Sequence, residues 1–344
     1  MKNHLHTWTW VAWLLAVMVA ISVTRNYLYL VLILVCLLIN FLLIEGVSQR
    51  EAYPFSLLRF GIIVCGLSTL FNLLISHNGE TVFMHLPETW PLIGGVYTIE
   101  AALYGLTNGL ILSGILIAFT NINQALPVRM LIRLIPRAFF PVAVVASIAV
   151  TFVPTTIRQF YQIKEAQTLR GQRMKRLQDW LPLVMPLLIG GLERALQLSE
   201  AMTARGFASA EPQSGRQSSR LVMVAGLLLV MSGWIVRTRA GWESWGLGLI
   251  ILGSLILLGA FWWAGRRIPR TNYIQESWQA GDAVVLVGIG LLGLALFFPV
   301  EWIDRRSLVY SIYPALQWPH FDPWIGTALL GLGLPAYVIG LGAQ

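Results

Sequence analysis

Long apolar runs alternate with short polar connections along most of the chain, and the runs are near the length that carries an α-helix across a hydrocarbon core at about 1.5 Å per residue. Eight segments stand out: Trp8 to Thr24, Tyr27 to Ile44, Phe55 to Ile75, Tyr97 to Thr120, Leu221 to Val236, Trp245 to Ala264, Ala283 to Val300 and Trp324 to Leu341. Tryptophans crowd several of their ends, among them Trp8, Trp10, Trp90, Trp242, Trp245, Trp262, Trp263 and Trp324, as expected where an amphipathic ring sits at the headgroup level. The pattern predicts an all-α integral membrane protein with about eight transmembrane helices. Lys2 precedes the first segment, but no small-residue cleavage site follows it and Arg25 leads directly into the next run, so the first segment reads as a retained helix.

Composition agrees: 56% of the 344 residues are hydrophobic and 12% are charged, which excludes a soluble globular domain, a disordered chain and a disulfide scaffold. The net charge of +8 acquires meaning only from its placement. Of 24 Lys and Arg, 13 fall between Asn121 and Arg220, against 5 acidic residues there. On a membrane protein such a block is first a topology signal, since cytoplasmic segments retain Lys and Arg, and nucleic acid is not expected as a partner. The stretch from Ser76 to Val96 has no Lys or Arg and is assigned outside, whereas Arg50 and Arg59 place the preceding connection inside, so both termini are assigned to the cytoplasm.

Ala138 to Ile157 is apolar enough for a further span, yet a crossing there would put Arg158, Lys164, Arg170, Arg173, Lys175 and Arg176 outside. Pro136, Pro141, Pro154, Pro182 and Pro186 also interrupt this region, in a way that suits bent or surface-lying helices better than one clean span. The expected organisation is therefore a four-span membrane domain over 1–120, an inserted cytoplasmic or interfacial helical domain over 121–220, two further spans over 221–264, and a C-terminal extension with two spans over 265–344. Within the insert, Leu192, Ala195, Leu196, Ser199 and Met202 recur at helical spacing opposite Glu193, Gln197 and Glu200, and Ile157, Phe160, Tyr161 and Ile163 give a similar stripe.

Two helices of the insert end alike. Glu165-Ala166-Gln167-Thr168-Leu169-Arg170-Gly171 and Glu200-Ala201-Met202-Thr203-Ala204-Arg205-Gly206 agree at Glu, Ala, Thr, Arg and Gly. An Arg-Gly end is also an ordinary helix stop, because a cation in the last turn complements the helix dipole and glycine supplies the left-handed residue. Both copies, however, close helices in the one charged region, and an arginine at a rigid helix tip presents a planar five-donor fork suited to an acidic groove.

Through these paired ends, together with Leu5-His6-Thr7-Trp8, Thr24-Arg25-Asn26, Leu28-Tyr29-Leu30, Trp90-Pro91-Leu92 and Phe152-Val153-Pro154, residues 5 to about 265 resemble the transmembrane T component of energy-coupling-factor transporters. The resemblance implies that Leu169, Arg170, Gly171 and Ala204, Arg205, Gly206 dock on two ABC-type ATPase subunits. It also implies that a small substrate-binding membrane subunit, the S component, binds elsewhere, with Gly190, Gly191 and Ala195 allowing close approach. The implied role is a non-enzymatic coupling scaffold for vitamin or transition-metal-ion uptake in a prokaryotic plasma membrane. Leu169 stands where alanine is usual, Tyr27 follows Asn26 where proline is common, and the last two spans extend beyond the usual length.

No Walker phosphate loop, HExxH or nucleophile-base-acid set is present, so no catalytic residue, cofactor or metal is expected, and ATP would be hydrolysed by a partner. Gly288-Ile289-Gly290-Leu291-Leu292-Gly293 fits the dinucleotide pattern but lies in an apolar span. Gly105 and Gly109 form a GxxxG read as a helix-packing surface. His77, Glu80, His85 and Glu88 match no zinc spacing and read as solvated loop polars, and Glu45 and Glu100 read as structural groups near span ends. A self-contained secondary transporter would show repeated halves with buried charges near midplane, and no such symmetry is found.

Overall fold

A computed structural model of the chain describes residues 5–47, 57–76, 79–86, 95–136, 139–171, 180–207, 216–239, 243–266, 277–298, 302–312 and 318–342. Arg50, His77, Glu88, Trp90, Pro91, Leu92, Arg173, Lys175, Arg176 and Trp242 lie outside the described residues, as does the side chain of Glu45. The helices are α1 (Thr7–Val23), α2 (Tyr27–Val47), α3 (Leu57–Ile75), α4 (Ile99–Ala125), α5 (Val128–Arg133), α6 (Phe140–Leu169), α7 (Leu181–Ala204), α8 (Arg216–Arg239), α9 (Glu243–Arg266), α10 (Ala280–Phe297), α11 (Pro323–Leu330) and α12 (Leu334–Gly342). The chain divides into two compact units, residues 1–127 with 274–344, and residues 128–273.

In the first unit α4 packs on α1, α2 and α3. Trp13, Val17 and Ile21 of α1, Tyr29, Leu30, Ile33 and Leu37 of α2, and Ala101, Ile117 and Ala118 of α4 are buried. Gly105 and Gly109 let α3 approach closely: a Cβ at these positions would lie 2.7 Å from Thr69 Cα and 2.6 Å from Cys65 Cα. The GxxxG is therefore a backbone-to-backbone packing surface, and the Ser68 hydroxyl donates across it to the Gly105 carbonyl at 2.8 Å. Trp10, expected among the interfacial tryptophans, is buried edge-on against Trp13, whereas Trp8 is exposed.

The loop between α3 and α4 contains an antiparallel pair of strands, β1 (Val82–Leu86) and β2 (Gly95–Thr98). Glu100, fully buried in the first turn of α4, anchors it: its carboxylate accepts from the Thr81 backbone N–H at 3.1 Å and from the Thr81 hydroxyl.

The C-terminal extension belongs to this same unit. Asp282, fully buried in α10, accepts from the His6 backbone N–H (2.7 Å), the Thr9 hydroxyl (2.8 Å) and the Gln279 backbone N–H (2.9 Å), so one carboxylate caps α10 and holds the start of α1. Asn26, between α1 and α2, donates to the carbonyls of Ser307 (2.9 Å) and His320 (3.0 Å). Trp13 Nε1 and Asn40 Nδ2 both donate to the Leu332 carbonyl at 2.9 Å, inside the short 3-10 turn (Gly331–Gly333) that joins α11 to α12. Of the dinucleotide-like string, which lies within helix α10, Gly288 serves helix contact against Leu334 and Gly331, whereas a Cβ on Gly290 or Gly293 would have nothing within 4 Å among the described residues.

In the second unit α8 and α9 pack along their length through facing glycines: a Cβ on Gly233 would meet the Gly246 carbonyl oxygen at 2.9 Å, and one on Gly253 would meet that of Gly226 at 2.9 Å. The expectation for the prolines is corrected. Pro154 and Pro186 lie inside the continuous helices α6, 30 residues long, and α7, 24 residues long, while Pro141 and Pro182 occupy first turns, where the missing N–H leaves no bond unmade. Pro186 cannot donate to the Pro182 carbonyl one turn back, and Gln167 Nε2 donates to that oxygen instead, at 3.5 Å.

The all-α membrane architecture with about eight spans agrees with the helices by length and composition. Among the described residues nine helical stretches of at least 18 residues are apolar enough to cross a membrane, one of them, Pro323–Gly340, running through α11, the 3-10 turn and α12, and the 17-residue α1 is a shorter apolar helix. These include α6 and α7 of the charged insert, which meet the same length and hydropathy.

Candidate functional site

The two Arg-Gly ends have the same local structure, bond for bond. At the end of α6 the Arg170 N–H donates to the Ala166 carbonyl (3.3 Å) and the Gly171 N–H to that of Thr168 (2.9 Å). At the end of α7 Arg205 donates to Ala201 (3.2 Å) and Gly206 to Thr203 (2.9 Å). Thr168 and Thr203 each return their hydroxyl to the carbonyl four residues back, Lys164 and Ser199, at 2.8 Å. Gly171 and Gly206 adopt φ of +80° and +75°, the left-handed region that stops a helix and that residues with a Cβ avoid. Three of the five identities between the two heptads thus have a place in the stop: threonine and glycine build it, and arginine is the last residue before it.

Helix termination does not use the guanidinium. Arg170 and Arg205 are both exposed, and among the described residues no carboxylate pairs with either. Leu169 is 84% exposed beside Arg170, a large apolar side chain carried outward at the tip, where the other end has the exposed Ala204. A Cβ at Gly171 or Gly206 would have nothing within 4 Å among the described residues.

The helices that carry these ends run antiparallel. Near the end of α6, Gln167 bonds to Pro182 and Phe160 stacks on Trp180, at the start of α7. Near the end of α7, Phe207 faces Phe140, at the start of α6, with ring centroids 6.2 Å apart. Arg170 and Arg205 therefore sit at opposite ends of the pair, separated by roughly the length of α7, about 36 Å at 1.5 Å per residue.

Between the helices lies an open apolar groove of about 550 Å³, lined by Val145, Phe152, Gly191, Ala195, Met202 and Phe207 among others. The three small residues singled out in the sequence are split by the structure. Gly191 and Ala195 line the groove, and a Cβ on Gly191 would have open space, whereas Gly190 is covered by the Gln159 side chain of α6. Leu192 and Leu196 of the amphipathic stripe point outward, 65% and 58% exposed. The cross-helix contact of Gln159 with Gly190 and Arg194 carries no signature in the sequence, because one glutamine and one arginine in polar helix faces look like solvated positions. Among the described residues no group of three His, Cys, Asp or Glu side chains converges as a metal site would require.

A profile of the cobalt transport protein family, CbiQ, matches residues 1–215, which include both Arg-Gly ends and stop short of α8. The chain is also similar to proteins described as the energy-coupling factor transporter transmembrane protein EcfT. That of Bacillus selenitireducens is 30% identical over 166 residues, 45% of this chain and 61% of the relative. That of Bacillus subtilis is 26% identical over 197 residues, covering 53% and 72%. That of Ruminiclostridium cellulolyticum is 28% identical over 142 residues, covering 37% of this chain and 53% of the relative. The chain thus spans between half and two thirds of the length of the first and last of these relatives.

Proposed function

Since this multi-pass membrane chain belongs to the cobalt transport protein family, we propose that it is the coupling scaffold of an ATP-driven energy-coupling-factor importer in a prokaryotic plasma membrane. In this reading two ABC-type ATPase subunits bind the Arg-Gly ends, Leu169-Arg170-Gly171 and Ala204-Arg205-Gly206. A small S component binds the membrane-facing side of α6 and α7, with Gly191 and Ala195 in the groove and Gly190 at the helix crossing. The 13 basic residues between 121 and 220 keep the tips on the cytoplasmic side, with both termini. ATP binding draws the two ATPases together, the tips follow, and the helix pair passes that displacement to the S component, which selects a vitamin or a transition-metal ion.

The observation that carries this reading is the pair of identical helix stops at opposite ends of an antiparallel helix pair, each presenting an exposed arginine without a carboxylate partner among the described residues. A guanidinium held on a rigid stop has already lost much of the freedom it would lose on binding, and its fork matches a carboxylate in two parallel hydrogen bonds.

The test is co-purification of tagged ATPase subunits with the double variant Arg170→Glu, Arg205→Glu. Reversing both charges places like charges together at each contact, so both ATPases are expected to be lost while the chain still inserts in the membrane. Full recovery of the complex with the double variant contradicts the docking role.

A further inference from the structure

Two helices as apolar as α6 and α7 have little to fix how one lies on the other, because lipid competes equally for apolar side chains and apolar contacts tolerate sliding. Their meeting point is nevertheless polar. The Gln159 amide lies over Gly190, where any Cβ would collide with its Nε2, and Arg194, one turn further along α7, donates from Nη2 to Gln159 Oε1. Both side chains are half-buried, so water competes only in part for a bond that is directional and charge-assisted. On one side of this point the helices part to form the apolar groove, and on the other Phe160 stacks on Trp180. Arg170 lies about 16 Å beyond Gln159 along α6, and Arg205 about 22 Å beyond Gly190 along α7, at 1.5 Å per residue, so the contact is remote from both tips.

We infer that Gln159 and Arg194 are positioning residues that latch α6 to α7 at one crossing point, over Gly190, so that displacement of either Arg-Gly end turns the helix pair about that point instead of sliding one helix along the other. The other polar contact of the pair, Gln167 to the Pro182 carbonyl, lies near the end of α6, whereas Gln159–Arg194 is within both helices, and a polar contact fixing register in an apolar helix pair is the best-attested use of such groups. The inference rests on the coupling reading above, and it separates two steps that reading joins: the tips hold the ATPases, and the latch converts their movement into a change in the groove.

The experiment uses the complex reconstituted in lipid nanodiscs with its two ATPases and S component. Spin labels are placed on cysteines replacing the exposed Val142 of α6 and Leu196 of α7, with Cys36 and Cys65 changed to alanine. ATP is expected to shift the label-to-label distance in the parent protein. In Gln159→Leu and in Arg194→Met the ATPases should co-purify in unchanged amount and hydrolyse ATP, while the distance distribution broadens at least two-fold and its ATP-dependent shift disappears. Gln159→Glu keeps the acceptor and should keep the shift. A shift that persists in both the Leu and Met variants overturns the latch, as does its absence from the parent. Loss of the ATPases from Gln159→Leu alone would make the contact a folding element and also overturn the inference. Failure of the parent to hold ATPases, seen before any distance is measured, defeats the coupling reading itself and the latch with it.

Discussion

The first unit, built on α1 to α4 and α10 to α12, and the second, containing the Arg-Gly helices, use their polar groups in opposite ways. In the first, Asp282, Asn26, Asn40 and Asn121 are fully buried and each hydrogen-bonds a distant part of the same unit. In the second, α6 buries only Ala143 and α7 only Leu183, and Arg170 and Arg205 stand exposed just past their ends. Lipid gives helices no hydrophobic reason to choose one another, so directional bonds and close backbone approach must specify their arrangement. The first unit has these throughout and is built as a platform. The second has them between α8 and α9, but between α6 and α7 at few points, which leaves most of that pair's surface for partners.

The sharpest way to break this contrast is to remove residues 274–344. That deletion takes Asp282, Ser307, His320 and Leu332 away from α1 and α2, leaves Asn26 and Trp13 without the acceptors they bond in the intact unit, and leaves Asn40 only the Cys36 carbonyl of its own helix. The first unit should no longer be recoverable as a monodisperse species in detergent, while a fragment covering the second unit is unaffected. Next in size is Asp282→Leu, which strands three donors at a buried site and should cost about 3 kcal/mol or more, read as a lower thermal midpoint of the full chain. Asn40→Leu, which breaks one interhelical bond to Leu332, should cost about 1 kcal/mol on the scale of such bonds in membranes. Smallest is Gly206→Ala. Nothing lies near its Cβ, so the cost is that of a left-handed backbone alone, about 1 kcal/mol, felt as local fraying of α7 with the global midpoint unchanged. A thermal midpoint that fell as far for Gly206→Ala as for Asp282→Leu would erase the distinction between platform and arm.

The spans were legible because their signal is local: the apolar run from Tyr27 to Ile44, for example, lies within α2 and starts at the same residue. The Arg-Gly ends were legible for the same reason, since a helix stop is written within seven residues. Continuity of α6 and α7 was not, because proline propensity argues for a break at Pro154 and Pro186, and the compensation at Pro182 comes from Gln167 on another helix. The strand pair in the loop between α3 and α4 was also missed: its anchor, Glu100, reads as one more acidic residue in a first turn until Thr81 is seen against it. The packing of the extension and the Gln159–Arg194 contact depend on residues far apart in the chain or on separate helices, and no periodicity records them.

The central claim is that Arg170 and Arg205 are recognition groups and not merely the last cations of two helices. Arg205→Lys tests it most directly, because lysine keeps the charge that complements the helix dipole and loses the planar fork. The measurement is the affinity of the purified ATPase subunits for the chain in nanodiscs, alongside helicity by circular dichroism. The account predicts binding weakened on the order of ten-fold, about 1.4 kcal/mol, with unchanged helicity. Binding of Arg205→Lys as tight as that of the parent chain would contradict it, and would return both arginines to the role of helix ends.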